Sequence, residues 1–181
     1  MSGTLKISNG ISLTEILLKD AGILYNLMHK IYPPAYKHLW KDEGDWYVNT
    51  IFSFQMLEKE LLEKNTKYYF VQFNTKIIGI LRLEFNAILK GYKDSNTTKL
   101  HRIYLNEESQ GKGIGKILLD FTIQQSIQNK SDILWLEAMD TQTQALQFYK
   151  KLNFKIINNF KLEYNLMHKH LRGMHRMCLF L

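Results

Sequence analysis

Apolar positions recur along the chain with two different periods, and the switches between them mark the predicted elements. Residues 12–18 form a short apolar run that reads as a strand. Asp20 then stands as a helix N-cap before residues 21–31, and the Pro33-Pro34 pair predicts that this helix stops there. Across residues 46–64, Ile51, Phe54, Leu57, Leu61 and Leu62 fall near helical spacing, which predicts one second helix on an apolar seam. Residues 67–73 and 77–85 are rich in β-branched and aromatic side chains, and Asn74-Thr75-Lys76 between them suits a hairpin. The polar stretch 90–98, with Gly91, Asp94, Ser95 and Asn96, reads as a loop before a strand over 99–106.

Helix follows strand again at 113–129, then strand at 133–139 and helix at 144–152, where Ala145, Phe148, Tyr149 and Leu152 share a face. Strands over 154–166 and 175–181 close the chain. This order predicts an α/β (α+β) fold: a mixed, mostly antiparallel sheet of about seven strands, with a central β-α-β crossover and flanking helices.

A length of 181 residues, 45% apolar and 23% charged, fits one globular domain over 1–181 with a sizeable core. Its one cysteine, Cys178, excludes an intrachain disulfide framework and a multi-cysteine metal site, and fits the reducing cytoplasm. No metal site is expected. Lys6, Asn9, Glu15 and Lys19 break up any apolar signal segment, and no window approaches the roughly 18 apolar residues of a membrane span. A net charge of +7 favours an anionic partner, which could be nucleic acid, lipid or a phosphate-bearing cofactor.

The segment Gln110-Gly111-Lys112-Gly113-Ile114-Gly115-Lys116 sits between a predicted strand and a predicted helix. Glycine allows positive φ and close backbone approach, and free amides at a helix N-terminus attract an anion. Lys112 and Lys116 add charge. A P-loop is excluded, because Ile117 follows Gly115-Lys116 where Ser or Thr is required. A dinucleotide fingerprint lacks its third glycine, which Lys116 replaces, but Glu137 stands suitably downstream and keeps that reading open.

Residues 110–115 resemble the Q/R-x-x-G-x-G/A pyrophosphate loop of the GCN5-related N-acetyltransferases. Ala145-Leu-Gln-Phe-Tyr149-Lys-Lys-Leu-Asn-Phe154 is similar to a second segment of that family, and the order of elements matches over nearly the whole chain. Within the family, residues 47–106 look closest to bacterial spermidine/spermine-type acetyltransferases. The resemblance implies acetyl-CoA as co-substrate. Its pyrophosphate would lie on the amides from Gly111 to Lys116, including Gly113, Ile114 and Gly115, with Gln110 at the loop entrance. Its pantetheine arm would pair with the backbone of Ile103, Tyr104 and Leu105, and Gln142 and Phe148 would flank it. Tyr149 would be the general acid toward the leaving thiolate.

For a base, His101, Glu84 and Glu137 are the candidates, and a core histidine or sheet-face charges are open alternatives. Three positions depart from the family pattern: Asn153 for a glycine, Gln142 for an asparagine, and His101 for an acid.

The acceptor amine is expected against residues 32–46, where Tyr36, Trp40, Glu43 and Trp46 offer aromatic walls and a carboxylate to a cation, of which a polyamine is one candidate. A small-molecule amine and a protein or peptide amine both fit this reading. Two rival functions are a cofactor-binding sensor without catalysis, and a nucleic-acid module using Lys161, His168, Lys169, His170, Arg172, His175 and Arg176 with Tyr164 and Phe180. Nucleic acid is the disfavoured partner, no membrane partner is expected, and a homodimer is left open.

Overall fold

The computed structural model describes residues 3–181. Its strands are β1 (Thr4–Ser8), β2 (Ile11–Glu15), β3 (Thr66–Phe73), β4 (Lys76–Phe85), β5 (Thr97–Leu105), β6 (Ile133–Met139), β7 (Lys155–Lys161) and β8 (Gly173–Phe180). Its helices are α1 (Ala21–Tyr36), α2 (Asp45–Ile51), α3 (Phe54–Leu62), α4 (Ile114–Gln128) and α5 (Thr143–Lys151). All eight strands join one sheet in the order β1-β2-β3-β4-β5-β6-β8-β7. Only β5 and β6 run parallel, because α4 returns the chain across the sheet between them.

Each sheet face carries its own apolar layer. Leu81, Leu83, Leu100, Leu134 and Leu136 pack with Leu118, Leu119, Leu146 and Tyr149 under α4 and α5. On the other face, Phe70 and Ile80 pack with Leu24, Met28, Tyr32, Val48 and Leu57 of α1, α2 and α3. The alternation of β4 assigns these faces, since Ile80 faces one layer while Leu81 and Leu83 face the other.

Four expectations change. β1 is an eighth strand that no apolar run announces: it is an edge, its first three residues are exposed, and mainly Ile7 reaches the core. The Pro33-Pro34 pair does not end α1, which continues to Tyr36. The Lys37 amide still reaches the Pro33 carbonyl, and the Tyr32 and Tyr36 rings stack at 4.8 Å across that turn. Proline's fixed φ is itself helical, so burial of Ile31 and Tyr32 offsets the lost donors.

The expected single helix over 46–64 is two. Ser53 breaks it, its Oγ accepting from the Met56 amide at 3.2 Å as the N-cap of α3. Finally, β7 stops at Lys161. Residues beyond it leave the sheet, and Trp40 forms a bridge with Met167.

Two details of β5 prepare the site. Arg82 pairs with Arg102 and Leu83 with Leu100, so His101 is the extra residue of a bulge. Pairing with β6 ends at Leu100 and Leu136, beyond which the two parallel strands part.

Candidate active site

The gap between β5 and β6 opens a cleft of about 250 Å³. Ile103, Tyr104 and Leu105 remain paired with Leu81, Ile80 and Gly79 on the β4 side. Their β6-facing edge has no strand partner among the described residues, so its backbone groups are available to an extended ligand arm.

Beyond Leu105 the chain turns sharply. Asn106 caps a short 3₁₀ turn through the Ser109 amide at 3.1 Å, and the Ser109 hydroxyl returns to the Asn106 carbonyl at 2.6 Å. Gly111 and Gly113 then take φ values of +73° and +72°, where a side chain is strained and glycine is not. The amides of Gly111, Lys112, Gly113, Ile114 and Gly115 donate to no backbone carbonyl among the described residues.

They gather at the N-terminus of a 15-residue helix, a donor set that fits a pyrophosphate. A Cβ added at Gly115 would meet only the Phe148 ring, at 3.8 Å, so Phe148 stands beside the loop. Gln110 is exposed at the start of the loop. Of the two lysines, Lys116 is turned to Asp120 at 2.6 Å and Lys112 lies 5.7 Å from the Phe73 ring.

The cleft walls hold Tyr149, Gln142 and Ala145 from the α5 end, and His101, Arg102, Glu137 and Met139 from the parted strands. Tyr149 is 8% exposed, between Phe148 and Phe154. Burial, with Tyr36 adding to it, raises its pKa, so the phenol is protonated throughout the physiological range. Asn153 adopts φ +65° and its amide caps Lys150, the left-handed helix end for which asparagine substitutes well. That cap sets where Tyr149 sits relative to Phe154.

The three candidate bases sit in two charge networks. His101 Nδ1 is 2.9 Å from Glu84 Oε1, and Arg82 Nη1 is 2.8 Å from the same oxygen. Burial pushes the Glu84 carboxyl up, but the His101 ring, Arg82 and Lys99 outweigh it and bring the pKa down to about 2. Burial lowers the His101 pKa, with Arg102 and Arg82 adding to that, against a partial rise from Glu84. Near neutral pH the ring is therefore uncharged. Glu137 Oε2 is 2.9 Å from Lys99 and its Oε1 is 2.7 Å from Arg176. Burial raises its pKa, yet the two cations prevail and lower it.

Both carboxylates are thus held as anions, and neither readily takes a proton at neutral pH. His101 and Glu137 line the cleft; Glu84 stands behind His101.

Of the acceptor candidates, Tyr36 and Trp40 line the cleft, whereas Glu43 and Trp46 do not. Glu43 is exposed in a turn at φ +58°. The neighbouring Asp42 accepts from the Trp46 amide at 2.7 Å, so this acidic stretch starts α2 instead of facing the cleft. Trp46 backs the wall from outside, against Trp40 and Tyr164.

Sequence reasoning missed Tyr32, Tyr47, Tyr164, Met167 and Met174, which the structure adds to the lining. The spacing of Tyr32 and Tyr36, one helical turn apart, was the one local signal, and the Pro33-Pro34 pair masked it. A buried cluster behind the cleft was missed as well: Arg102 meets Glu60 of α3 at 2.7 Å, and Arg82 bridges Glu60 and Glu63.

The basic C-terminal cluster is partly internal. Arg176 pairs with Glu137, and Arg172 donates to the Met167 carbonyl at 3.1 Å. Among the described residues, no helix is long and apolar enough to cross a membrane.

A β-bulge beside a strand gap, a tyrosine from α5 on the cleft wall and a glycine-rich helix N-terminus just beyond β5 are the features that the site presents. Residues 24–154 match the acetyltransferase (GNAT) family, and the chain belongs to that family. An uncharacterized N-acetyltransferase from the pepI 3′ region of Lactobacillus delbrueckii subsp. lactis is 27% identical over 90 residues. That stretch is 50% of this chain and 52% of the relative, so the match spans about half of its length.

Among solved structures, the PaiA N-acetyltransferase of Thermoplasma acidophilum, in complex with coenzyme A, aligns with TM-score 0.72 and 17% identity over 94% of this chain and 99% of that one. A mutant of the spermidine N-acetyltransferase SpeG of Vibrio cholerae aligns with TM-score 0.66 and 16% identity, over 96% of this chain and 95% of that one. At these identities the likeness is one of fold.

Proposed function

We propose that the protein is an acetyl-CoA-dependent N-acetyltransferase acting on a primary amine, with residues 1–181 as one catalytic domain. The observation that carries this reading is the parting of β5 from β6, with Tyr149 on the cleft wall and the Gly111–Gly115 amides, which donate to no backbone carbonyl among the described residues, just beyond the end of β5. Acetyl-CoA, when bound, supplies a thioester carbonyl as electrophile. The amide loop holds the pyrophosphate, with Gln110 at its entrance, and the free edge of Ile103 to Leu105 receives the pantetheine arm, flanked by Gln142 and Phe148.

His101, uncharged near neutral pH, accepts the proton that the attacking amine loses, directly or through water. Nδ1 meets both Glu84 Oε1 and Arg82 Nη1, and Nε2 is the accepting nitrogen in the tautomer that carries its hydrogen on Nδ1 toward Glu84. Glu84 orients that ring, and Glu137 fixes the Lys99–Arg176 side of the cleft. As the carbon–nitrogen bond forms and the carbon–sulfur bond breaks, the Tyr149 phenol donates to the departing sulfur. Tyr149 favours catalysis over a sensor role, and the internal use of Arg172 and Arg176 weighs against a nucleic-acid surface.

The acceptor belongs to a small molecule or a peptide. Likeness of fold to SpeG supports a polyamine, while Glu43, the carboxylate expected to hold one, lies outside the cleft. A lone buried cysteine fits a cytoplasmic location.

Calorimetric titration with acetyl-CoA, followed by thiol release with a panel of amines, tests the reading. Binding with amine-dependent release supports it. Binding without release on any amine favours the sensor, and no binding removes the coenzyme reading of the glycine loop.

A further inference from the structure

The cleft holds many rings and few free charges. Tyr32 stacks on Tyr47 at 4.7 Å, and Tyr36 meets Tyr104 edge-on at 5.6 Å. Trp40 lies 5.2 Å from Tyr47 and 5.6 Å from Tyr164, so six rings enclose one side. Four of their six polar ends satisfy one another: Trp40 Nε1 donates to the Tyr32 hydroxyl at 3.0 Å, and the Tyr47 and Tyr104 hydroxyls are 3.3 Å apart. Burial pushes the Tyr36 pKa up to about 12, and the box is uncharged.

The ionic groups around it are already paired. Glu137 is the one carboxylate lining the cleft among the described residues, and Lys99 and Arg176 occupy both its oxygens. Arg102 is held by Glu60 from behind.

We infer that the acceptor is a small monoamine on an aromatic or other apolar frame, bound in this box of rings. The inference rests on the transferase reading and adds the acceptor class to it. One ammonium can rest on tyrosine and tryptophan faces, and a ring can pack edge-to-face among them. The second and third charges of a polycation would meet no unpaired carboxylate in the cleft and would lie on a protein of net charge +7. The cleft of about 250 Å³ is shared with the coenzyme arm proposed to run along Ile103 and Tyr104, so the space left to the acceptor suits one ring and a short arm.

The test measures kcat/KM by thiol release, with the full chain and acetyl-CoA, for 2-phenylethylamine and for spermidine. 2-Phenylethylamine is expected to be preferred at least 10-fold. Tyr164→Glu, which sets an unpaired carboxylate at the box, is expected to shift the ratio at least 10-fold toward spermidine, with acetyl-CoA affinity by calorimetry within twofold of the parent. Equal or better turnover of spermidine by the parent protein overturns the inference, whether or not the variant folds. So does turnover of neither amine by protein that binds acetyl-CoA, and in both cases the coenzyme reading stands. Absence of acetyl-CoA binding overturns both.

Discussion

The two walls of the cleft differ in what builds them. The proposed coenzyme side comes from one continuous stretch, residues 103–115, of which Ile103 and Tyr104 line the cleft, and its working parts are backbone amides and two positive-φ glycines. The proposed acceptor wall comes from α1, α2, β5 and the segment after β7, and its working parts are side chains up to 132 residues apart in sequence, from Tyr32 to Tyr164. Damage to the first should therefore be local and read out as coenzyme affinity. Damage to the second should spread through packing and read out as stability or acceptor selectivity.

Tyr149 stands where the walls meet and is expected to give the largest effect. Tyr149→Phe removes the proposed donor to sulfur but keeps the ring between Phe148 and Phe154. kcat should fall about 10²- to 10⁴-fold with unchanged acetyl-CoA affinity. A fall of less than threefold would move the proton donor elsewhere.

Next comes Glu60→Ala. It strips the buried partner from Arg102 and one partner from Arg82, and should cost about 3–5 kcal/mol in urea unfolding. Because this cluster ties α3 to β4 and β5, acceptor turnover should suffer before coenzyme binding does. Parallel loss of both would blur the contrast between the walls.

Acid titration probes the network behind His101. The Glu84 pKa of about 2 lies below its ordinary value of 4.5, so the stability it contributes is complete above about pH 4.5 and is lost as pH falls toward 2. With its side chain 24% exposed, the contribution is at most about 3 kcal/mol. Glu84→Gln should flatten that part of the stability curve. A parent protein as stable at pH 3 as at pH 5 would contradict the pairing.

The smallest effect on folding is expected from Gly113→Val. A β-branched residue at φ +72° costs about 1–2 kcal/mol and disturbs the amide cradle. Acetyl-CoA affinity should drop about 10-fold while the acceptor preference stays put. Equal loss of acceptor selectivity would show that the walls are coupled.

How much of this was legible depended on range. The glycine loop and the segment from Ala145 to Phe154 could be read because their conformations depend on residue type at fixed local spacing. Even the Asn153 exception followed a local rule, since asparagine tolerates the left-handed conformation that it adopts here. Boundaries set by burial were harder. Pro33-Pro34 looked like a stop, and only the packing of Ile31 and Tyr32 carried α1 past it. Ser53 carried a visible cap, but the apolar seam on both sides of it suggested one continuous helix.

Glu43 was placed in the site because acidic and aromatic residues share that stretch. The fold instead turned the acids toward the start of α2 and left Tyr36 and Trp40 in the cleft. By itself, the amino-acid sequence determined the crossover architecture, the glycine-rich turn and the tyrosine on the following helix, because backbone conformation and periodicity act over a few residues. Tertiary structure alone decided which carboxylates are already neutralised, that His101 sits in a bulge against Glu84, and that six rings face one cavity. Those facts depend on which distant side chains burial brings within a few ångströms of each other, and no local pattern encodes that.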